Sequence, residues 1–161
     1  MSLVLAGLVL IAANYGYGLV HEAAHGAVIG ALGGQVYRIY VDPAGLDAYI
    51  EHSPVTGVAD TVLLNLAGLG ATTALAFALL ALGSRLTPVF LAGRTAIYAI
   101  NYGPGTDISV ISSVIGQLSL VISVLVVIVN LACIYVALKG HVARPLWAKS
   151  SQVNEPDPSS S

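Results

Sequence analysis

The chain has 161 residues, of which 57% are hydrophobic and only 9% are charged, whereas soluble domains carry about 25% charged residues. Its formal charge of -2 leaves no basic surface for nucleic acid, so we expect no nucleic-acid partner. A single cysteine, Cys133, excludes an internal disulfide and a cysteine-based zinc site. The composition predicts an all-α membrane protein with about four transmembrane helices and one short β-hairpin between the first and the second.

The first apolar segment covers residues 2–33. As one helix it would be about 48 Å long, so we expect it to tilt, protrude or bend near Gly16 and Gly18. Gly33 and Gly34 are predicted to end it. Its ionisable side chains, apart from two tyrosines, are those of His21, Glu22 and His25.

A β-hairpin is predicted next, because residues 36–41 and 48–50 are rich in β-formers and flank the turn Asp42-Pro-Ala-Gly45. Its several charged residues suit the membrane surface better than the membrane core. A second apolar segment is expected from Pro54 to about residue 82. Lipid therefore surrounds most of the chain in this interpretation.

A third helix is predicted over residues 88–101, with Thr87 as its N-cap. It would be about 21 Å long, too short for a hydrocarbon core of about 30 Å. The irregular segment 101–107 then falls at membrane depth, where its polar groups need a protein or water partner. This break is consequently a site candidate.

The last span is predicted over residues 118–138, followed by a disordered polar tail over 150–161. Residues 1–149 would form one integral membrane domain. The positive-inside rule predicts a multi-pass protein of the cell membrane with both termini in the cytoplasm. The interfacial cations and the aromatic anchor that support this topology are Arg85, Lys139, Arg144, Trp147 and Lys149.

His21-Glu-Ala-Ala-His25 fits the pattern H-E-x-x-H, which places two histidines one turn apart on one helix face. They can bind one metal ion, and Glu22 is near enough to act on a water molecule there as general base. Ionisable groups within a membrane helix are costly and are functional candidates by default. The alternative is a His-Glu-His hydrogen-bond cluster that only fixes helix packing.

A third ligand is expected from elsewhere, because catalytic zinc usually has three protein ligands and one open position. Asp107, beside the break, is the leading candidate, and Asp60 is its rival. Asn101 could donate to a substrate carbonyl or cap the broken helix. Asn65 could bind substrate or make a hydrogen bond between helices.

Together these residues resemble the site-2 protease family of intramembrane zinc metalloproteases, in particular its minimal-core members. The resemblance rests on residues 20–26, on Ala67-Gly68, and on the set Asn101, Pro104 and Asp107. The family's Ala-Gly-Pro is Ala67-Gly-Leu69 here, its Leu-Asp-Gly is Thr106-Asp-Ile108, and the interval from Pro104 to Asp107 is shorter than usual.

The resemblance implies that His21, His25 and Asp107 bind one Zn²⁺ per chain and that Glu22 activates water. The expected function is hydrolysis of a peptide bond in or near a transmembrane segment of a membrane protein substrate. Alternatives are a catalytically idle relative that serves as an assembly subunit and a zinc hydrolase of a non-peptide bond. The sequence leaves open whether the chain forms a homo-oligomer. The family's zinc generally lies nearer the cytoplasmic face, which opposes the predicted orientation.

Overall fold

The computed structural model describes residues 3–139. The predicted tail over 150–161 and the anchors Arg144, Trp147 and Lys149 lie outside the described residues. The elements in chain order are α1 (Leu3–Ala31), β1 (Val36–Val41), β2 (Ala48–His52), α2 (Val58–Ala81), α3 (Leu86–Ala99), α4 (Asp107–Ile115) and α5 (Leu118–Lys139).

Three helices in the described part of the chain, α1, α2 and α5, are long and apolar enough to cross a membrane. This is the composition of a multi-pass membrane protein, and the predicted hairpin between the first two helices is present. The expected fourth span is not found as one helix. With 14 residues, α3 is too short to cross alone, and the irregular segment 100–106 separates it from α4.

Glycines end α1 where the sequence predicted. Gly33 has a φ of 77°, its N–H donates to the Gly30 carbonyl at 3.1 Å, and the Gly34 N–H donates to the Ile29 carbonyl at 2.9 Å. This is the bonding pattern of a Schellman motif, in which a left-handed residue lets the chain turn back on the helix. The helix itself is uninterrupted at Gly16 and Gly18.

Two predicted helix starts are wrong. The second helix begins at Val58, not near Pro54, because Gly57 adopts a φ of 103° that a helix cannot contain. The third begins at Leu86, so Thr87 is not its N-cap. Pro88 is compatible with this earlier start, since the first turn of a helix needs no N–H partner.

Helix α4 was not predicted, although its signal is local. Thr106 is its N-cap, and the Thr106 hydroxyl oxygen accepts the Ser109 N–H at 3.4 Å. Ile108 and Ile111 are buried against Leu69 of α2. Helical structure therefore resumes after the break, and Asp107 is the first residue of α4.

Helix α2 packs against α1, α3, α4 and α5, and α5 also packs against α3 and α4. Hydrogen bonds join these helices, as expected where lipid supplies little drive for association. The Thr95 hydroxyl donates to Thr72 Oγ1 at 3.0 Å, and Asn130 Nδ2 donates to Thr73 Oγ1 at 2.9 Å. These bonds hold α2 at the centre of the bundle.

The antiparallel hairpin folds back along α1 instead of extending beyond its end. A Cβ on Gly26 would lie 3.4 Å from Ile50 Cδ1, and one on Gly18 would lie 3.3 Å from Ala48 Cβ. At the tip, a Cβ on Gly45 would lie 2.5 Å from the backbone of Asn14. Small residues on α1 therefore allow the hairpin strands to pack closely against the helix.

Candidate metal centre

His21 and His25 lie one turn apart on α1, and both are buried, with 5% of each residue exposed. Their rings meet edge to face with centroids 4.8 Å apart. The helical repeat that the motif predicted thus brings the two imidazoles together.

The tautomer of His25 follows from its hydrogen bond. Its Nδ1 lies 2.7 Å from the Leu64 carbonyl oxygen of α2, and a carbonyl can only accept, so Nδ1 carries the proton. The lone pair is then on Nε2, which faces Asp107. Histidines that bind metals are usually oriented by such a bond from the other ring nitrogen.

Gly68 makes room for His21. A Cβ at residue 68 would lie 2.5 Å from both Cε1 and Nε2 of the His21 ring. The imidazole therefore rests on the bare backbone of α2. The pair Ala67-Gly68, noted in the sequence, has a steric role at this site.

Asp107 reaches both histidines from the start of α4. Its Oδ2 lies 2.9 Å from His21 Nε2, and its Oδ1 lies 3.5 Å from His25 Nε2. The break before it is held by the Thr106 hydroxyl, which donates to the Asn101 carbonyl at 2.6 Å. Asp60, the rival ligand, lies in the first turn of α2 and is absent from the cleft lining within the described residues.

These distances fit a shared metal ion. Two ligand atoms on a tetrahedral zinc lie about 3.3 Å apart, given bonds of about 2.0–2.1 Å. Within the described residues, buried Asp107 Oδ2 and His21 Nδ1 have no hydrogen-bond partner, so the contact at 2.9 Å lacks hydrogen-bond alignment. Two nitrogens and one oxygen form a donor set typical of zinc sites.

Glu22 lies beside this group. It is buried, and the ligand atoms of His21, Glu22 and His25 all lie within 4.8 Å of one another. The carboxylates of Glu22 and Asp107 therefore both lie close enough to the imidazoles to bind or to act on a ligand held there.

A cleft of about 570 Å³ opens onto these residues. One wall is β2, and the opposite wall is the break before α4. The lining comprises His21, Glu22, His25, Asp47–Ile50, His52, Val55, Thr61, Leu64, Asn65, Tyr98, Asn101, Pro104–Asp107 and Val110.

Asn65 and Asn101 both line this cleft. Asn65 Nδ2 donates to the Thr61 carbonyl of its own helix at 2.8 Å, and within residues 3–139 the Asn65 amide forms no hydrogen bond to another helix. Asn101 Oδ1 accepts the Gly103 N–H at 3.0 Å within the break, whereas the residue that caps α4 is Thr106. In residues 3–139 no hydrogen bond uses Asn101 Nδ2, so the N–H groups of this side-chain amide remain available to a ligand in the cleft.

The sequence interpretation missed an aromatic layer beneath His21. The Tyr17 ring stacks on the His21 ring, with centroids 5.7 Å apart and planes at 21°. The Arg94 guanidinium carbon lies 4.4 Å from the Tyr17 centroid, so this cation rests on the same aromatic layer. Tyr17 and His21, like Arg94 and Tyr98, are four residues apart, a spacing that could have indicated side-chain pairs.

Asp42 organises the hairpin tip, outside the candidate spans. Partial loss of hydration would raise the pKa of its carboxyl, but backbone N–H groups of Asp47, Ala44, Gly45 and Leu46 outweigh this and lower it. Asp42 Oδ1 accepts from the Ala44 N–H at 2.6 Å and Oδ2 from the Asp47 N–H at 2.7 Å. The charged carboxylate therefore favours the turn.

No family model, curated protein or solved structure matches this chain.

Proposed function

We propose that the chain is an intramembrane zinc metalloprotease in which His21, His25 and Asp107 hold the metal. The observation that carries the proposal is the position of Asp107, whose two oxygens approach both imidazoles while Oδ2 has no hydrogen-bond partner in the described chain. A buried carboxylate oxygen without a hydrogen bond is costly, and its close approach to the imidazoles is the geometry that a cation bound by all three side chains would require.

Zinc bound there would polarise the scissile carbonyl and lower the pKa of water towards about 7. Glu22 takes the proton of the attacking water and gives it to the leaving nitrogen as the carbon–nitrogen bond breaks. The new carbon–oxygen bond completes a peptide hydrolysis with water as the co-substrate. In this proposal the side-chain amide N–H of Asn101, which lines the cleft, donates to the substrate carbonyl.

The free edge of β2 supports a peptide as substrate. The Asp42 N–H donates to the Asp47 carbonyl, so by strand alternation residues 48 and 50 point their N–H and C=O groups away from β1. That edge lines the cleft. An extended substrate segment can bind there as an added strand, which exposes its peptide bonds to the metal centre.

We also propose that α3 and α4 together make the fourth membrane crossing. Ile108 and Ile111 of α4 pack in one cluster with residues of α2 and with Tyr98 near the end of α3, and α5 packs against both α3 and α4. Four crossings put both termini on one side, which the cations assign to the cytoplasm. The break at 100–106 then lies at membrane depth but faces the cleft.

The test compares wild type with Glu22→Gln after zinc-replete purification and reconstitution with single-span model membrane proteins. We expect one zinc per chain in both proteins and a loss of cleavage of about 10²–10⁴-fold in the variant. Equal cleavage would refute the mechanism. Normal zinc binding without cleavage of any model substrate by wild type would favour the catalytically idle assembly subunit.

A further inference from the structure

Arg94 lies half-buried in α3 and donates to three groups from three elements. Its Nη2 donates to the Gly45 carbonyl of the hairpin tip at 2.9 Å and to the Tyr98 hydroxyl at 3.2 Å. Its Nη1 donates to the Asn14 carbonyl of α1 at 3.4 Å. The guanidinium also lies over the Tyr17 and Tyr98 rings, at 4.4 and 5.4 Å from their centroids.

The hairpin tip is fitted to α1 at the same point. Asn14 Nδ2 donates to the Ala44 carbonyl at 2.6 Å. Gly45 is buried, has a φ of 67°, and approaches α1 so closely that a Cβ would lie 2.5 Å from Asn14 C and from Tyr15 N. A planar fork of donors such as arginine can bridge two carbonyls from different elements, which a lysine cannot do in the same way.

This contact is coupled to the candidate metal centre along two routes. Gly45 is three residues before β2, the strand that forms one wall of the cleft. Tyr17, under the guanidinium, stacks on His21. A displaced tip would therefore move the β2 edge relative to His21 and Glu22.

We infer that Arg94 is a positioning residue that clamps the hairpin tip to α1 and α3, and that the hairpin remains clamped while substrate is cleaved. The effect on cleavage rests on the proposed function. The clamp itself does not rest on the proposed function, because it predicts a change in hairpin amide exchange that is measured without substrate. In this arrangement substrate enters from the side of the break and adds to a stationary β2 edge.

The first experiment compares Arg94→Leu and Arg94→Lys with Arg85→Leu, which removes a cation from the exposed start of the same helix. We expect faster amide exchange over residues 42–47 in both Arg94 variants, unchanged zinc content, and cleavage lowered at least tenfold in Arg94→Leu. Arg85→Leu should change none of these. If residues 42–47 exchanged their amide protons at the wild-type rate in both Arg94 variants, the clamp would be overturned.

The second experiment replaces the clamp by a covalent bond. A Cβ on Gly18 would lie 3.3 Å from Ala48 Cβ, close to the distance of about 3.5–4.5 Å across a disulfide. Gly18→Cys and Ala48→Cys are combined with Cys133→Ala, which removes the chain's own thiol. In the Arg94→Leu protein that carries the two new cysteines, oxidation should restore slow amide exchange over residues 42–47. It should also return the cleavage rate to that of the same cross-linked protein with Arg94 intact. Reduction should reverse both effects.

The two proposals fail in different ways. The cross-linked, zinc-loaded Arg94→Leu protein could regain slow amide exchange over residues 42–47 without regaining cleavage. That result would show that the hairpin must move during turnover, and it would overturn the inference. Absence of cleavage in every protein, wild type included, would refute the proposed function. The clamp would still stand or fall on the exchange of residues 42–47 and its reversal by the cross-link. Should Arg94→Leu not fold, Arg94→Lys carries the same comparison.

Discussion

Two polar layers lie one above the other on α1, and they differ in how their polar atoms are satisfied. In the lower layer, Arg94 donates to the carbonyls of Gly45 and Asn14 and to a tyrosine hydroxyl. In the upper layer, Asp107 Oδ2 and His21 Nδ1 are buried without a hydrogen-bond partner in the described residues.

The lower layer also contains one buried polar atom without a hydrogen-bond partner in the described residues, the neutral hydroxyl of Tyr17. A neutral hydroxyl costs less to leave unpaired than a carboxylate does. The Arg94 cation is thus satisfied by groups of the chain itself, whereas a carboxylate oxygen beside the histidines has no hydrogen-bond partner in the described residues. The predictions below test this difference.

The largest expected effect comes from the carboxylate of the upper layer. Asp107→Asn should weaken zinc binding by more than the roughly 10–100-fold that loss of an outer-shell partner costs, and cleavage should disappear. Asp60→Asn is the control, because Asp60 lies outside the cleft lining. Zinc content of the purified proteins measures both, and metal loss in the Asp60 variant alone would reverse the assignment.

The fit of His21 against α2 predicts the next effect. Gly68→Ala places a Cβ 2.5 Å from the His21 ring, and such overpacking costs about 1–3 kcal/mol. We expect weaker zinc binding and a lower unfolding temperature in detergent. Gly70→Ala, two residues along the same helix with no atom within 4 Å of the new Cβ, should be neutral or slightly stabilising. Equal zinc binding and equal unfolding temperatures in the two variants would contradict the close contact between Gly68 and the His21 ring.

A smaller effect is expected at the strand edge. Ile39 and Ile50 are paired, and their side chains both pack near Gly26. Proline at residue 50 removes an N–H from the cleft edge, and proline at residue 39 removes one from the opposite edge. Because one hydrogen bond contributes about 0.5–1.5 kcal/mol, kcat/KM should fall about 2–10-fold more for Ile50→Pro than for Ile39→Pro, with zinc content equal. Equal losses would argue against strand addition at β2.

The smallest effect concerns the tip below the clamp. The folded pKa of Asp42 is lowered, so its contribution to tip stability is present above the unfolded pKa and is lost as pH falls through the folded value. Asp42→Asn should loosen the tip near neutral pH and converge with wild type in acid. Amide chemical shifts of Ala44 and Asp47 report this, and a difference between the two proteins that persists in acid would exclude the carboxylate charge as the cause.

The sequence by itself determined the local features of this protein. The pairing of His21 with His25, the end of α1 at Gly33 and the existence of the hairpin all depend on neighbours within a few residues, where helical repeat and turn chemistry suffice. The start of α4 is equally local, at the Thr106 cap, but the glycines and the proline of the break before it predict an end of helical structure and so obscure this start.

The tertiary structure alone decided which distant groups meet. Asp60 and Asp107 were both compatible with the sequence, and only the packing of α4 on α2 brings Asp107 to the histidines. The place of the hairpin, and with it the role of Arg94, depended on close contacts between α1 and residues about 30 and 80 positions later in the chain. Such contacts arise from the fit of surfaces, which a pattern of single residues does not encode.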